Sequence, residues 1–326
     1  MGLIQQFAFL ALGLALLWKT GGMAVRYAVG LSLVYKIEKF TIGFFIFAIS
    51  TGLPEITTVF IASFQKVPEL SAGDLMGSTL VNLTLVLGVA AVIGKKIEVD
   101  RAIRKNLYPT IALIAIIFVG IAFVTNGTIF TGILLITLYF VSAFWSRAGM
   151  TKEAVTEEFE QVEHEMEKKP LLSPKVDILL KLFGSLIFLI LSSWVTVYAA
   201  TSIATTLNLH LFMVGATLIA VGTSFPELAL EIQAVRKKEY SLALGDIFGS
   251  SLLNVSLILG ILTLINPDVD LAFGRQILPF LGASLLWMVR RLLQKKPLHR
   301  RDGIFFLVIF ALYLAWAVLS ELLTNI

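Results

Sequence analysis

Two glutamates of this sequence, Glu55 and Glu227, lie inside long apolar stretches, and each directly follows a proline. A charged side chain at membrane depth costs about 2.5–3.5 kcal/mol on insertion scales, so a carboxylate in such a place is a candidate for function. Hard cations such as Ca²⁺ and Na⁺ prefer carboxylates and other oxygen ligands. We therefore expect both glutamates to bind cations.

The prolines, Pro54 and Pro226, predict a break in each helix. Proline has no backbone N–H and clashes with the carbonyl four residues before it, which for Pro226 belongs to Gly222. We expect the carbonyls around each break, including those near Ala48 and Ala220, to lack partners within the helix. In lipid such carbonyls are tolerated only where they line a cavity or meet a ligand.

Polar side chains with helical spacing follow each break. Ser78 and Asn82 are four residues apart, as are Ser250 and Asn254, so each pair lies on one face of a helix. With a threonine beside each break, they add hydroxyl and amide oxygens to those of the glutamates and carbonyls. The predicted cation site combines these side chains: Glu55, Glu227, Thr51, Thr223, Ser78, Ser250, Asn82 and Asn254.

The two segments are copies of one unit. Residues 43–88 align with residues 215–260 without a gap, and the polar residues named above recur at equivalent places. A glycine directly before each serine, Gly77 or Gly249, would let the broken helix approach closely. Matching carboxylates in a duplicated unit predict one shared site at the interface between the copies.

Three further acidic residues of the repeats allow more than one interpretation. Asp74 and Asp246 lie one turn before the serines, where they would either cap a helix end or reach a cation. An intramembrane aspartyl protease would use them as a dyad that shares one proton, but the Gly-x-Gly-Asp element of such enzymes is missing at both places. Glu231 has Val59 at its equivalent place, and we do not expect it to be essential.

The composition indicates a membrane protein. The chain is 57% hydrophobic and 15% charged, against about 25% charged residues in soluble domains. No cysteine is present, which excludes disulfides and cysteine-based metal sites. A helical span needs about 20 apolar residues. On that count we predict an all-α polytopic membrane protein with ten transmembrane helices in two sets of five, near residues 3–34, 40–64, 70–93, 106–124 and 128–146, and again near 177–207, 211–235, 241–265, 276–290 and 304–323.

Basic residues predict the orientation. The predicted outside loops hold only Lys66 and Arg275, whereas the inside segments hold clusters around 95–105, 147–175, 236–238 and 290–301. Cytosolic loops are enriched in Lys and Arg, so the asymmetry places both termini outside, and the net charge of +4 is a topology signal rather than a footprint of nucleic-acid binding.

The same layout predicts the domain organisation. The halves, 1–146 and 177–326, enter the membrane in opposite directions as inverted repeats with broken core helices, which is typical of alternating-access transporters. The connection 147–176 is rich in glutamate and is expected to be a solvated cytosolic linker, with a regulatory cation-binding role as the alternative.

The repeats resemble the paired alpha-repeats of the calcium/cation antiporter superfamily, and most closely those of its sodium–calcium exchanger branch of prokaryotic type. The likeness lies in Gly-Thr-Ser-Phe-Pro-Glu at 222–227 and Gly-Asp-Ile-Phe-Gly-Ser-Ser-Leu-Leu-Asn at 245–254, and it extends in span count, mid-chain connection and orientation over essentially the whole chain. It implies a cluster of cation sites at mid-membrane in a prokaryotic cell membrane.

The resemblance also implies a set of ligands. Ca²⁺ would be bound by Glu55 and Glu227 together with the backbone carbonyls of Thr51 and Thr223. One monovalent-cation site would be lined by Glu227, Ala48, Thr51 and Ser78, and its symmetry mate by Glu55, Ala220, Thr223 and Ser250.

Two positions depart from that branch. Gly52 stands where the family often has serine, and Asn254 stands where many sodium-dependent members have aspartate and the proton-coupled branch tends to have asparagine. With Asn82 as its mate, the central cluster is expected to have only two formal charges, from Glu55 and Glu227. Two protons or two Na⁺ match those charges, whereas three Na⁺ exceed them, and the counter-ion stays open with Na⁺ slightly favoured.

The expected function is secondary exchange of Ca²⁺ for Na⁺ or H⁺ by alternating access, without catalysis, cofactor or nucleic-acid partner. Two ionised glutamates repel strongly at low dielectric, so an empty carrier changes sides rarely, and this reluctance couples the two fluxes. A Ca²⁺/H⁺ exchanger that uses the same glutamates is the nearest alternative, and a passive cation channel is the next. Ten spans can form a complete transporter alone, so the functional unit can be a monomer.

Overall fold

The structure is a computed structural model that describes residues 2–34, 52–99, 101–146, 174–236, 238 and 240–324. Most of these residues are helical, which confirms the predicted all-α membrane class. Among them, seven helices are long and apolar enough to cross a membrane, and three shorter helices are also apolar. The first half of the second predicted span, with Ala48 and Thr51, lies outside the described residues, as does most of the connection 147–176.

The secondary-structure elements follow the predicted order. In chain order they are α1 (Leu3–Val34), α2 (Leu53–Phe64), α3 (Pro68–Val81, a π-helical turn at Asn82–Val86, then Leu87–Gly94), β1 (Lys96–Ile97), α4 (Arg101–Phe123), α5 (Ile129–Ser146), α6 (Pro174–Leu207), α7 (Leu211–Val214, a π-helical turn at Gly215–Ile219, then Ala220–Thr223), α8 (Phe225–Arg236), α9 (Tyr240–Leu253, a π-helical turn at Asn254–Ile258, then Leu259–Ile265), α10 (Gly274–Leu293), β2 (Leu298–His299) and α11 (Arg300–Thr324).

The π-helical turns of α3 and α9 occupy equivalent places in the two repeats, and each begins at the asparagine of the predicted site. A π turn widens the helix and is often found at functional sites. Hydroxyl groups of neighbouring helices bond to carbonyls within the π-helical turns of α3 and α7. The Ser284 hydroxyl donates to the carbonyl of Leu83 in α3, and the Tyr313 hydroxyl donates to the carbonyl of Ala216 in α7 at 2.9 Å.

Two short backbone pairings establish that the repeats are inverted. Lys96 pairs with His299 in the antiparallel ladder of β1 and β2. At the equivalent positions, the Asp268 N–H donates to the Gly127 carbonyl, and the Gly127 N–H donates to Val269, both at 2.8 Å. The first pairing adjoins the start of α4 and the second adjoins its end, and the 23 residues of α4 span about 35 Å. Equivalent loops therefore lie at opposite ends of the molecule.

The two repeats also interlock through close helix contacts. A Cβ atom at Gly88 of α3 would lie 3.1 Å from the carbonyl oxygen of Gly303 in α11, and one at Gly260 of α9 would lie 3.0 Å from that of Gly132 in α5. Gly88 and Gly260 are equivalent positions of the repeats. Small residues let membrane helices approach closely, so each core helix packs against the last helix of the other half.

One end of the molecule carries a group of basic residues. The end with β1 and β2, called the β end below, also holds the turn between α8 and α9, because a Cβ atom at Gly94 would lie 2.5 Å from the Val235 side chain. The opposite end holds the turn between α2 and α3, where the Asn266 amide donates to the Ser63 hydroxyl at 2.6 Å. Basic residues of the β end are Lys95, Lys96, Arg236, Lys238, Lys295, Lys296, Arg300 and Arg301.

Candidate functional site

Glu55 lies in the first turn of α2, buried in the interior with 1% of its surface exposed. The proline before it is at the start of the helix, where its missing N–H costs no hydrogen bond. Both carboxyl oxygens of Glu55 lack a hydrogen-bond partner among the described residues. A buried carboxyl group without partners is costly, so this side chain is available for a ligand.

The second break is a single residue between α7 and α8. Ser224 has φ −83° and ψ 4°, and α8 begins directly after it with Glu227 in its first turn. The carbonyl of Ala220 accepts the Ser224 N–H at 3.2 Å, and the carbonyl of Gly222 also accepts a backbone N–H. The prediction that carbonyls near Ala220 lack partners is therefore wrong, because the chain tightens at the break instead of unwinding. Ala48 and Thr51, at the other break, lie outside the described residues.

Asp74 is the centre of a hydroxyl cluster that joins the two repeats. Its carboxyl group accepts hydrogen bonds from Thr58 at 3.2 Å, Ser78 at 3.2 Å and Thr223 at 3.1 Å. The Ser78 and Thr223 hydroxyls are themselves 3.2 Å apart. Asp74 lies in the second turn of α3, whose first residue is Pro68. The capping alternative for Asp74 is thus wrong, because its partners are side chains of other turns and helices rather than the N–H groups of a helix end.

The remaining predicted side chains surround the same region. Asn82 donates from its amide nitrogen to the Ser250 hydroxyl at 3.2 Å, which joins α3 to α9. The equivalent bond from Asn254 is not formed, since its amide nitrogen has no partner in the described part of the chain. Ala220, Ser250 and Asn254 are all buried.

The carboxyl groups of this region are close enough to interact electrostatically. Glu55 experiences the charges of Glu227 and Asp74, and Glu227 also experiences that of Asp246. No ion pair between these groups and a basic side chain is found among the described residues. Asp74, which bonds to Ser78 and Thr223 of the predicted site, adds a third carboxyl group to the two glutamates that the prediction counted.

The oxygen atoms available for a cation come from several chemical groups. In the described part of the chain, no three acidic or histidine side chains gather closely enough to form a metal centre by themselves. Hydroxyl, amide and carbonyl oxygens therefore have to complete any cation site, as hard cations allow. Asp74 bonds to hydroxyl groups whereas Asp246 interacts with Glu231, so the two aspartates do not form a protease dyad.

Two polar residues near the site occur in one repeat only. Thr58, which the sequence did not single out, donates to Asp74, and Glu231, which was not expected to be essential, is buried beside Asp246. Their equivalents are Leu230 and Val59, so a search for duplicated polar residues passes over both. The available signal for Thr58 is its position one turn after Pro54, to whose carbonyl the Thr58 hydroxyl donates a hydrogen bond at 2.7 Å.

Close helix packing holds the site together. A Cβ atom at Gly77 would lie 2.5 Å from the Cα atom of Ala216, and one at Gly73 would lie 2.0 Å from the carbonyl oxygen of Phe212. The predicted close approach at Gly77 is confirmed. For Gly249 the equivalent neighbours lie outside the described residues. The contact between α3 and α7 places Ser78 against Thr223 and leaves no room for another side chain.

Comparison with known proteins agrees with this architecture. The family model described as "Sodium/calcium exchanger protein" matches residues 5–147 and 178–319. CaxA of Alkalimonas amylolytica is 29% identical over 316 residues, which are 94% of this chain and 96% of that protein. The sodium/calcium exchanger MaX1 of Methanosarcina acetivorans is 25% identical over 327 residues, with 87% of this chain and 93% of that protein covered. A solved structure of the sodium-calcium exchanger NCX_Mj has a TM-score of 0.63 and 25% identity, and the match covers 96% of this chain and 99% of that chain.

Proposed function

Because the chain belongs to the sodium/calcium exchanger protein family, whose members are membrane ion exchangers rather than enzymes, we propose that it exchanges Ca²⁺ for a monovalent cation across the membrane. In this proposal Glu55 and Glu227 bind the cations in turn. The observation that supports it most strongly is the pair of buried glutamates, one from each repeat, that interact with each other and have carboxyl oxygens without hydrogen-bond partners among the described residues.

Charge balance provides the coupling between the two fluxes. Uncompensated carboxylates repel strongly in a region of low dielectric, so the site resists closure until cations or protons neutralise it. A carrier that changes sides only when it is neutralised exchanges one cation for another and does not leak either. Alternating access then follows from the movement of one inverted repeat against the other around a fixed site.

The proposed ligands are those of the predicted site. Glu55, Glu227 and the carbonyls of Thr51 and Thr223 take Ca²⁺, and the monovalent cations also use the following residues: Ala48, Ala220, Ser78, Ser250, Asn82 and Asn254. The carbonyl of Ala220 already accepts an N–H group, so it contributes through its second lone pair. Asp74 joins this set through Ser78 and Thr223.

The counter-ion is proposed to be Na⁺, with H⁺ as the second candidate. The third carboxyl group, that of Asp74, removes the objection that three Na⁺ exceed the charge of the site. Asn82 and Asn254 favour H⁺ instead, because their amide side chains add no negative charge to the site. Uptake of ⁴⁵Ca²⁺ into liposomes that contain the purified protein decides between them, with an outward Na⁺ gradient and an imposed pH gradient applied separately.

Each outcome of that experiment has a defined meaning. Ca²⁺ uptake driven by the Na⁺ gradient alone supports Na⁺, and uptake driven by the pH gradient alone supports H⁺. Ca²⁺ flux that needs no counter-ion, together with unitary currents in a planar bilayer, would establish a passive channel and contradict the proposal.

We also propose that both termini are outside, with the β end facing the cytosol. The support is the set of basic residues at the β end, because cytosolic loops are enriched in Lys and Arg. The chain has no cysteine, so Lys66→Cys and Lys295→Cys each introduce a unique thiol at opposite ends. A membrane-impermeant maleimide applied to intact cells should label the first variant and not the second.

A further inference from the structure

A second group of carboxyl oxygens without hydrogen-bond partners lies beside the candidate site. Glu231 is fully buried in α8, and neither of its carboxyl oxygens has a hydrogen-bond partner among the described residues. Its side chain interacts directly with that of Asp246 in α9, and one buried carboxyl oxygen of Asp246 also lacks a partner in the described part of the chain. No basic side chain of the described residues forms an ion pair with either group.

This pair has no equivalent in the first repeat. The residue equivalent to Glu231 is Val59, and the aspartate equivalent to Asp246 is Asp74, whose carboxyl group is satisfied by three hydroxyls. In the first half, the buried aspartate is therefore stabilised by neutral donors. In the second half, the same position faces another carboxyl group, which destabilises both charges unless a cation or a shared proton lies between them.

Glu231 and Asp246 lie on the side of the candidate site that faces the β end. Glu231 follows Glu227 by one helical turn, about 5–6 Å along α8, in the direction of Val235 and the β end. Asp246 precedes Ser250 by one turn on α9. The pair thus lies between the candidate site and the β end, on one side of the site only.

We propose that Glu231 and Asp246 form a second cation site, which binds a hard divalent cation such as Ca²⁺ on its way between the central site and the β end. Two carboxyl groups match the charge of a divalent cation, and their free oxygens are the ligands that Ca²⁺ prefers. That the cation is Ca²⁺ rests on the proposed function. The number of Ca²⁺ ions bound per molecule depends separately on the second site.

Equilibrium dialysis of the purified protein against ⁴⁵Ca²⁺ tests the proposal. Glu231→Gln, which keeps the shape, and Glu231→Val, which copies the first repeat, should each bind one Ca²⁺ fewer per molecule at saturation. The control Glu98→Gln, an exposed glutamate paired with Lys96 at the surface, should bind the wild-type amount. Thermal unfolding and gel filtration verify that the variants are folded, and Asp246→Asn provides an independent removal of the same site.

Two results would overturn the inference. Wild-type amounts of bound Ca²⁺ in the Glu231 and Asp246 variants would mean that the pair binds no divalent cation. Loss of all Ca²⁺ binding in Glu231→Gln would mean that Glu231 belongs to the central site. Failure of the proposed function has a different signature, because Glu227→Gln would then bind the wild-type amount of Ca²⁺.

Discussion

Thr79 contacts its own equivalent in the second repeat: its hydroxyl donates to the carbonyl of Ser251 at 3.3 Å, and the two residues are 172 positions apart, which is the repeat offset. A residue touches its symmetry mate only close to the axis that relates the two copies. The axis therefore passes beside Ser78 and Ser250, the neighbours of this pair. This explains why equivalent glutamates that are far apart in the sequence, Glu55 and Glu227, meet in one region.

Asp74→Asn should weaken Ca²⁺ transport. The change removes a negative charge from the cluster and takes away an acceptor from hydroxyls of both repeats. Hydrogen bonds to charged groups are worth about 1.5–3 kcal/mol, so we expect the Ca²⁺ concentration for half-maximal uptake to rise about tenfold or more. Uptake of ⁴⁵Ca²⁺ at a series of Ca²⁺ concentrations measures this shift.

Thr58→Val is the matched control for that change. Thr58 gives Asp74 one of its three hydroxyl bonds and leaves its charge in place, so the effect should be clearly smaller than that of Asp74→Asn. Equal effects of the two variants, or wild-type uptake by Asp74→Asn, would contradict the role given to the charge of Asp74.

Gly77→Ala should destabilise the protein and reduce transport. A methyl group there would lie 2.5 Å from the backbone of Ala216, so α3 and α7 would have to separate, and overpacking of this kind costs about 1–3 kcal/mol. Thermal unfolding in detergent measures the change. Gly120→Ala in α4 is the control, since no described atom lies within 4 Å of the added methyl group, and its unfolding temperature should stay the same or rise.

Asp302→Asn should loosen the β end. Asp302 is buried and accepts hydrogen bonds from Arg291 at 2.7 Å, from the Trp287 indole at 2.9 Å and from the His299 N–H at 2.7 Å. Removing its charge leaves Arg291 without its anionic partner, since the remaining hydrogen bond to the Pro297 carbonyl carries no charge, and breaking a buried ion pair costs up to about 3–5 kcal/mol.

The exposed pair of Lys96 and Glu98 provides the comparison for Asp302. Both side chains of that pair are more than half exposed, so Glu98→Gln should leave the unfolding temperature unchanged. A wild-type unfolding temperature for Asp302→Asn would mean that the ion pair does not stabilise the fold.

The sequence predicted the elements because the signals for membrane helices are strong and local. Long apolar runs place the spans, and the observed bounds of α6 (Pro174–Leu207) and α10 (Gly274–Leu293) differ from the predicted ones by a few residues. Internal duplication identified the buried glutamates, since a purely structural role rarely explains matching charges in two apolar segments. The helical spacing of Ser78 and Asn82 placed both on the face that meets the other repeat.

Other features depend on contacts that no local pattern encodes. The π-helical turns have no distinctive residue pattern, and whether the carbonyl of Ala220 finds a donor depends on how tightly the chain turns at Ser224. The cluster around Asp74 forms only when α2, α3 and α7 come together. Thr58 was missed for a related reason: it is polar in one repeat only, and duplication was the signal that the prediction followed.

The most direct measurement is Ca²⁺ exchange by Glu55→Gln and Glu227→Gln in proteoliposomes. Each substitution keeps the size of the side chain and removes one of the carboxyl charges that the cations are proposed to balance, so each variant should lose gradient-driven ⁴⁵Ca²⁺ uptake while it remains folded by gel filtration. Robust Ca²⁺ exchange by Glu227→Gln would contradict the account, because a cation site shared between the repeats cannot work without its second carboxylate.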